Sequence, residues 1–273
     1  MSSIPETIDL AAVKRGQQAM WASGDYGAIA TQIAPIAERL VDSVNPPAGS
    51  SVLDVAGGTG NAALAAARSN CRVTCTDYAP ELLERGRERA SAERLDITFE
   101  TADAEALPYA DGSYDVVLSV VGAMFAPDQA QTASELVRVC RPGGLIGLAN
   151  WTPEGFLGDW FRAQGAHAAP PAGLASPLRW GTEEGIAELL GDGVSSLHTE
   201  RRAFTWRFTD AASMVDLFRT VYGPTLKAFT TVGPEGADAL EQDLLAVVER
   251  AAHQRGGSIA IPAEYLEVVA VRR

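Results

Sequence analysis

The chain has 273 residues, 47% of them hydrophobic and 21% charged, which allows one α/β core with insertions and leaves no tract polar enough for disorder. Formal net charge is −13, and the basic residues lie singly or in small groups such as Arg85, Arg87 and Arg89, so no nucleic-acid partner is expected. From Met1 to Lys14 no cationic stretch leads into an apolar one, and no apolar run reaches the roughly 18 residues of a membrane span; a cytoplasmic protein with no membrane partner is expected.

In chain order, Ile29, Ile33, Ile36 and Leu40 recur at helical spacing and predict an amphipathic helix leading into a first strand. From Ser51 onward, short apolar runs alternate with helical patterns, the arrangement of a parallel sheet with crossover helices. Strands are expected at Val52–Ala56, Arg72–Thr76, Ile97–Glu100, Tyr114–Val120 and Leu145–Asn150, with helices between them at about Ala62–Arg68, Pro80–Glu93 and Asp128–Cys140. Arg141-Pro142-Gly143-Gly144 reads as a turn, because proline fixes φ and glycine supplies positive φ. After Trp151 the pattern turns irregular, and Ala168-Ala169-Pro170-Pro171-Ala172-Gly173 breaks any helix.

Two later helices are marked by Met214, Leu217, Phe218, Val221 and Tyr222 and by Leu240, Leu244, Val247 and Val248. Strands at about Leu197–Phe208 and Glu264–Val271 complete the sheet as an antiparallel pair. Cys71, Cys75 and Cys140 are odd in number and too few for a disulfide framework. Cys71 and Cys75 lie roughly 13 Å apart on a strand, beyond shared metal ligation. They read as core residues, and no metal is expected.

The strongest local signal is Val52-Leu53-Asp54-Val55-Ala56-Gly57-Gly58-Thr59-Gly60-Asn61, a buried strand running into a glycine turn that opens a helix. Glycine lets backbone approach a ligand where a Cβ would collide. Alone the turn is ambiguous, since Gly58, Gly60 and Ala63 also satisfy the dinucleotide fingerprint. Further along, Asp77 ends the second strand, Thr101-Ala102-Asp103-Ala104-Glu105-Ala106-Leu107-Pro108 follows the third, and Tyr114-Asp115-Val116-Val117-Leu118-Ser119 and Glu135 to Gly144 mark the fourth and fifth.

With these elements in order, residues 50 to 150 resemble the class I S-adenosylmethionine-dependent methyltransferases, nearest the small-molecule branch that includes the ubiquinone and menaquinone enzymes. That family usually carries glycine where this chain has Ala56. The resemblance implies a Rossmann-like doubly wound α/β fold of seven strands, mostly parallel with an antiparallel last strand, plus helical lid insertions. It implies a helical lid at 1–48, a cofactor core at 49–150, substrate-pocket insertions at 151–194 and 209–256, and sheet-completing segments at 195–208 and 257–273. The cofactor it implies is S-adenosylmethionine, expected to be held by Asp54, Gly57, Gly58, Gly60, Asn61, Asp77, Tyr78, Asp103, Ala104, Ser119 and Val120. Asp77 would hold both ribose hydroxyls and Asp103 accept from the adenine amine, for a carboxylate can take two hydrogen bonds from a vicinal diol.

Motifs missing from the chain narrow the acceptor. Val120-Val121-Gly122 follows Ser119, where adenine and amide N-methyltransferases carry an Asn/Asp-Pro-Pro-aromatic turn. No set of carboxylates suggests magnesium-dependent catechol chemistry. A small aromatic or apolar molecule is expected, with a homodimer allowed. Trp21, Phe125, Trp151, Trp160 and Tyr222 are the candidate substrate contacts, and Tyr26 and His167 the candidate catalytic residues. His198 reads as structural and His253 as the end of a helix. Two alternatives stay open: an NAD-dependent oxidoreductase, in which Asp103 has no role, and a SAM-bound cyclase or binding protein that transfers no methyl.

Overall fold

The computed structural model describes residues 8–273. The first part of the lid and leader reading, residues 1–7, lies outside them. Helices α1 (Leu10–Ala22) and α2 (Tyr26–Val44) precede β1 (Ser51–Val55), α3 (Asn61–Arg68), β2 (Arg72–Asp77), α4 (Pro80–Glu93), β3 (Ile97–Thr101), β4 (Tyr114–Val120), α5 (Gln129–Val139) and β5 (Cys140–Trp151). Then come α6 (Phe156–His167), α7 (Glu183–Leu190), β6 (Val194–Phe208), α8 (Ala211–Val221), α9 (Gly223–Ala251), β7 (His253–Arg255) and β8 (Ser258–Arg272).

The sheet runs β3-β2-β1-β4-β5-β8-β6, with β7 on β8. Strands β1 to β5 are parallel, and β8 enters antiparallel between β5 and β6. Val52–Val55 and Val116–Ser119 are buried without alternation, which requires cover on both faces. The expected mostly parallel sheet with an antiparallel last strand is present. Its eighth member, β7, begins at His253, which therefore starts a short strand instead of ending a helix. α9 stops at Ala251 because Ala252 turns to extended backbone.

Local chemistry accounts for the helices. α2 buries Ile29, Ile33, Ile36, Ala37, Leu40, Val41 and Val44, one apolar stripe that packs on α3 and β5. α4 opens on Pro80, which needs no hydrogen-bond partner in a first turn, and α5 is capped by Asp128, whose carboxylate accepts from Gln131 N. Residues 141–144, expected as a turn, lie instead within β5 as an irregular stretch of the strand. The ladder slips there from Tyr114 opposite Cys140 to Val116 opposite Leu145, and Gly143 takes φ 71°. The irregular segment after Trp151 holds α6 and α7, separated by the proline-rich loop. α9 breaks at Gly233 (φ 66°) before Pro234.

The strand order reverses between β1 and β4. In open α/β sheets such a switch point leaves a crevice at the carboxyl ends of the strands, and the glycine turn after β1 lies there.

Candidate active site

The turn from β1 into α3 is held by Gly57 N donating to Thr76 O at 2.9 Å and Gly60 N to Gly57 O at 2.8 Å. A Cβ on Gly57 would stand 2.6 Å from both Asp54 Oδ2 and Cys75 Sγ, so the chain passes its own carboxylate too closely for any side chain. Ala56 (φ 51°) and Val121 (φ 52°), which follow the neighbouring strands β1 and β4, line the crevice in the left-handed region. For a β-branched residue this is strained backbone, a feature that concentrates at ligand sites. Behind the turn, Arg89 donates to Thr59 O (2.8 Å), Thr59 Oγ1 (2.9 Å) and Asn61 Oδ1 (2.9 Å), bracing it from α4.

Four carboxylates line the crevice, and two of them, Asp54 and Asp77, are buried. Asp54 Oδ2 accepts from Ala63 N at 2.9 Å, while Oδ1 is buried with no donor among the described residues. Burial, aided by the charge of Asp77, raises the Asp54 carboxyl to about 7. Asp77 accepts from Gly58 N and Ala79 N, both at 2.9 Å, and burial raises it to about 6 despite those bonds. A carboxylate pair so desolvated favours a ligand that brings cationic or hydroxyl donors.

Helix α1 lies across the opening. Lys14 Nζ meets Asp103 Oδ2 and Glu105 Oε2, each at 2.5 Å. Burial opposes the Lys14 charge, but the bonds to both carboxylates outweigh it and its pKa is raised. Gln17 Nε2 donates to Phe125 O (3.1 Å) and Gln18 Nε2 to Tyr78 O (2.6 Å). Trp21 then meets Tyr26, Phe125 and Tyr222 edge-on, with ring centroids 5.5, 5.1 and 5.9 Å away. Burial and the Asp77 charge raise the Tyr26 phenol, so it stays protonated and can donate a hydrogen bond.

A second, larger cavity of about 590 Å³ adjoins the crevice, sharing Phe125, Ala126 and Pro127 with it. Its walls come from α1, the residues after β4, the proline-rich loop after α6 and the start of α9.

The structure brings Asp54, Gly57, Gly58, Asn61, Asp77, Tyr78, Asp103, Ala104 and Val120 to the crevice wall, together with Trp21, Tyr26 and Phe125. Gly60 and Ser119 stand one layer behind: Gly60 caps α3, and Ser119 Oγ donates to Val55 O while accepting from Ala123 N. His167 lines neither cavity. Its Nε2 lies 2.7 Å from Asp243 Oδ2 on α9, so the expected base is engaged elsewhere.

Trp151 and Trp160 are core residues, not pocket contacts. Trp151 packs edge-on against Tyr265, and Trp160 donates to Thr225 Oγ1 and packs on Phe218. Tyr222 is buried behind Trp21 and Tyr26. His198 sits exposed on β6. Sequence reasoning missed Lys14, Thr59, Glu105 and the chamber beyond Phe125. The spacing Lys14, Gln17, Gln18 places three polar groups on one face of α1, and that was the available signal.

The family profile described as "Methyltransferase domain" matches residues 52–144. The chain belongs to the class I S-adenosylmethionine-dependent methyltransferases. Its cofactor is S-adenosylmethionine. Over 98% of its length this methyltransferase is 42% identical to an uncharacterized protein of Mycobacterium tuberculosis, 97% of which is covered. It is 37% identical to the demethylmenaquinone methyltransferase of Deinococcus radiodurans over 45% of this chain and 52% of that one. The solved structure of the YcgJ protein from Bacillus subtilis shares its fold at 17% identity, with a TM-score of 0.58 over 87% of this chain and 97% of that one. Among the described residues no group of three or more His, Cys, Asp or Glu side chains gathers as a metal site, and no helix is long and apolar enough to cross a membrane.

Proposed function

We propose that this methyltransferase acts on a small apolar or aromatic molecule held in the chamber beyond Phe125. The observation that carries the reading is the chamber itself: about 590 Å³, within the roughly 300–1,000 Å³ range of small-molecule sites, mostly apolar, and joined to the crevice at Phe125, Ala126 and Pro127. The crevice residues fit the cofactor. Asp54 Oδ1 lacks a donor that an ammonium group would supply, and Asp77 has lone pairs left for ribose hydroxyls. Bound there, S-adenosylmethionine supplies a methyl on cationic sulfur, which an acceptor lone pair takes by direct in-line displacement.

The chain's own contribution is positioning. Trp21, Tyr26 and Phe125 wall the reacting end and exclude water, while Asp103 and Glu105 receive the polar edge of the nucleoside. No Asp, Glu, His or Cys lines the chamber among the described residues, so the acceptor brings a nucleophile that needs no strong base from that wall. Residues 164–177 and 224–231 in the chamber wall support the reading of 151–194 and 209–256 as substrate-pocket insertions. The position of α1 supports a lid within 1–48.

Gly16 provides the test. It lines the chamber from α1, and a Cβ there meets nothing within 4 Å. In a screen of aromatic and apolar acceptors with methyl-labelled cofactor, Gly16→Phe should raise the acceptor KM about tenfold or more while leaving cofactor affinity unchanged. An unchanged KM for a good acceptor would place that molecule outside the chamber.

A further inference from the structure

The 22 basic residues of this chain include only two lysines, Lys14 and Lys227. Both stand on cavities, Lys14 on the cofactor crevice and Lys227 on the chamber. The two cations are suited to different work. Guanidinium makes fixed forked pairs with carboxylates, and Arg68, Arg138 and Arg201 each hold two. Ammonium is a compact charge on a flexible stem, able to follow a partner that comes and goes.

Lys227 is the single charged side chain of the chamber wall and makes no ion pair among the described residues. The wall's other side-chain donors are already engaged, and Gln17 Oε1, left without a donor among the described residues, is an acceptor that an anion cannot use. Gln17 donates to Phe125 O, Gln164 to Pro224 O while accepting from Thr225, and Thr231 to the carbonyl of Lys227. Lys227 is exposed, so its charge sits at the rim. At a net charge of −13 the surface as a whole repels anions, and an apolar wall offers an acid no partner except this ammonium.

We infer that the molecule taken by the chamber is an apolar acid, whose anion pairs with Lys227 while its apolar body lies along Met20, Met124, Pro170, Leu174 and Ala228. The inference rests on the reading of the chamber as the acceptor site. It names a recognition handle that the apolar wall does not itself supply.

The test uses the full chain saturated with S-adenosylhomocysteine and two probes of one shape, 2-naphthylacetate and 2-naphthylacetamide, titrated by calorimetry. The acid should bind about threefold to fivefold tighter than the amide at low ionic strength, the range of a rim ion pair, and the gap should shrink in about 0.5 M salt. Lys227→Met should erase the gap and leave the amide's affinity unchanged, while Lys227→Arg should keep it. The acid should also protect Lys227, and not Lys14, from acetylation by an N-hydroxysuccinimide ester, read by peptide mass. Equal binding of both probes to the wild type, or a preference surviving in Lys227→Met, overturns the acid handle and leaves the chamber an acceptor site. If neither probe binds while S-adenosylhomocysteine does, the chamber reading falls as well.

Discussion

Lys14 Nζ on α1 meets the Asp103 carboxylate after β3 at 2.5 Å, a contact between residues 89 apart in sequence that closes the cofactor crevice from above. Both Asp103 oxygens are engaged, since the other accepts from Glu105 N at 3.0 Å. The crevice so closed encloses about 60 Å³, far below the roughly 300 Å³ at which small-molecule sites begin, and cofactor entry is expected to require α1 to lift. Lys14→Ala should speed cofactor association several-fold in stopped-flow binding. A slower or weaker association would mean that Lys14 holds the cofactor instead of gating it.

Asp77 carries the proposed ribose contact, and Asp77→Ala should weaken S-adenosylmethionine binding by about 1 to 3 kcal/mol, leaving the hydroxyl donors without a charged partner. Calorimetry checks this directly. Unchanged affinity would assign the ribose to another residue.

The pH dependence follows from the two raised carboxyls. Asp54 at about 7 and Asp77 at about 6 are both above their ordinary value of 3.8. A carboxyl raised in the folded state stabilises the fold most below its unfolded pKa, and that contribution is lost as pH climbs through the folded value. The cofactor-free protein should therefore lose stability between about pH 4 and 7 from these groups. Cofactor affinity should rise over pH 6 to 7 as both carboxylates ionise. Asp54→Asn should flatten the upper part of both profiles in melts and titrations.

The glycine turn offers a paired comparison. Ala56→Gly places at φ 51° a residue that tolerates it, so stability and cofactor affinity should stay close to wild type. Gly57→Ala forces a Cβ to within 2.6 Å of Asp54 Oδ2 and should cost cofactor affinity at least tenfold. Equal behaviour of the two variants would show the turn to be more pliable than its contacts indicate.

His167 gives the contrary expectation. With its ring against Asp243, His167→Ala should leave turnover and cofactor affinity unchanged and cost at most about 1 kcal/mol of stability in denaturant melts, as expected for a pair whose carboxylate is exposed. A selective loss of turnover would return it to the site.

The fold and the residues that gather at the crevice were legible because their signals are local. Asp54, Gly57 and Gly58 fall within five residues, and the period of each strand and helix declares itself within one window. The acceptor half was not, because an aromatic residue in an insertion reads alike whether it lines a pocket or fills a core. Trp160 is satisfied by Thr225, 65 residues onward, and Lys14 by Asp103 across a similar gap; no spacing rule reaches that far. His167 sat in the segment that does build the chamber, yet its ring faces Asp243, a partner on another element.

The place of β8 bears on how the chain acquires this shape. β5 and β6 do not pair with each other; each meets β8, the last strand in order, along 145–151 and 194–208. During synthesis β1 to β5 can assemble as they emerge, but β6 has no ladder partner until β8 arrives. In that interval two long strand edges are open, one of them carrying Phe204, Trp206 and Phe208. A chain halted before residue 258 would hold the glycine turn and its carboxylates yet expose those edges, a template on which other chains can pair.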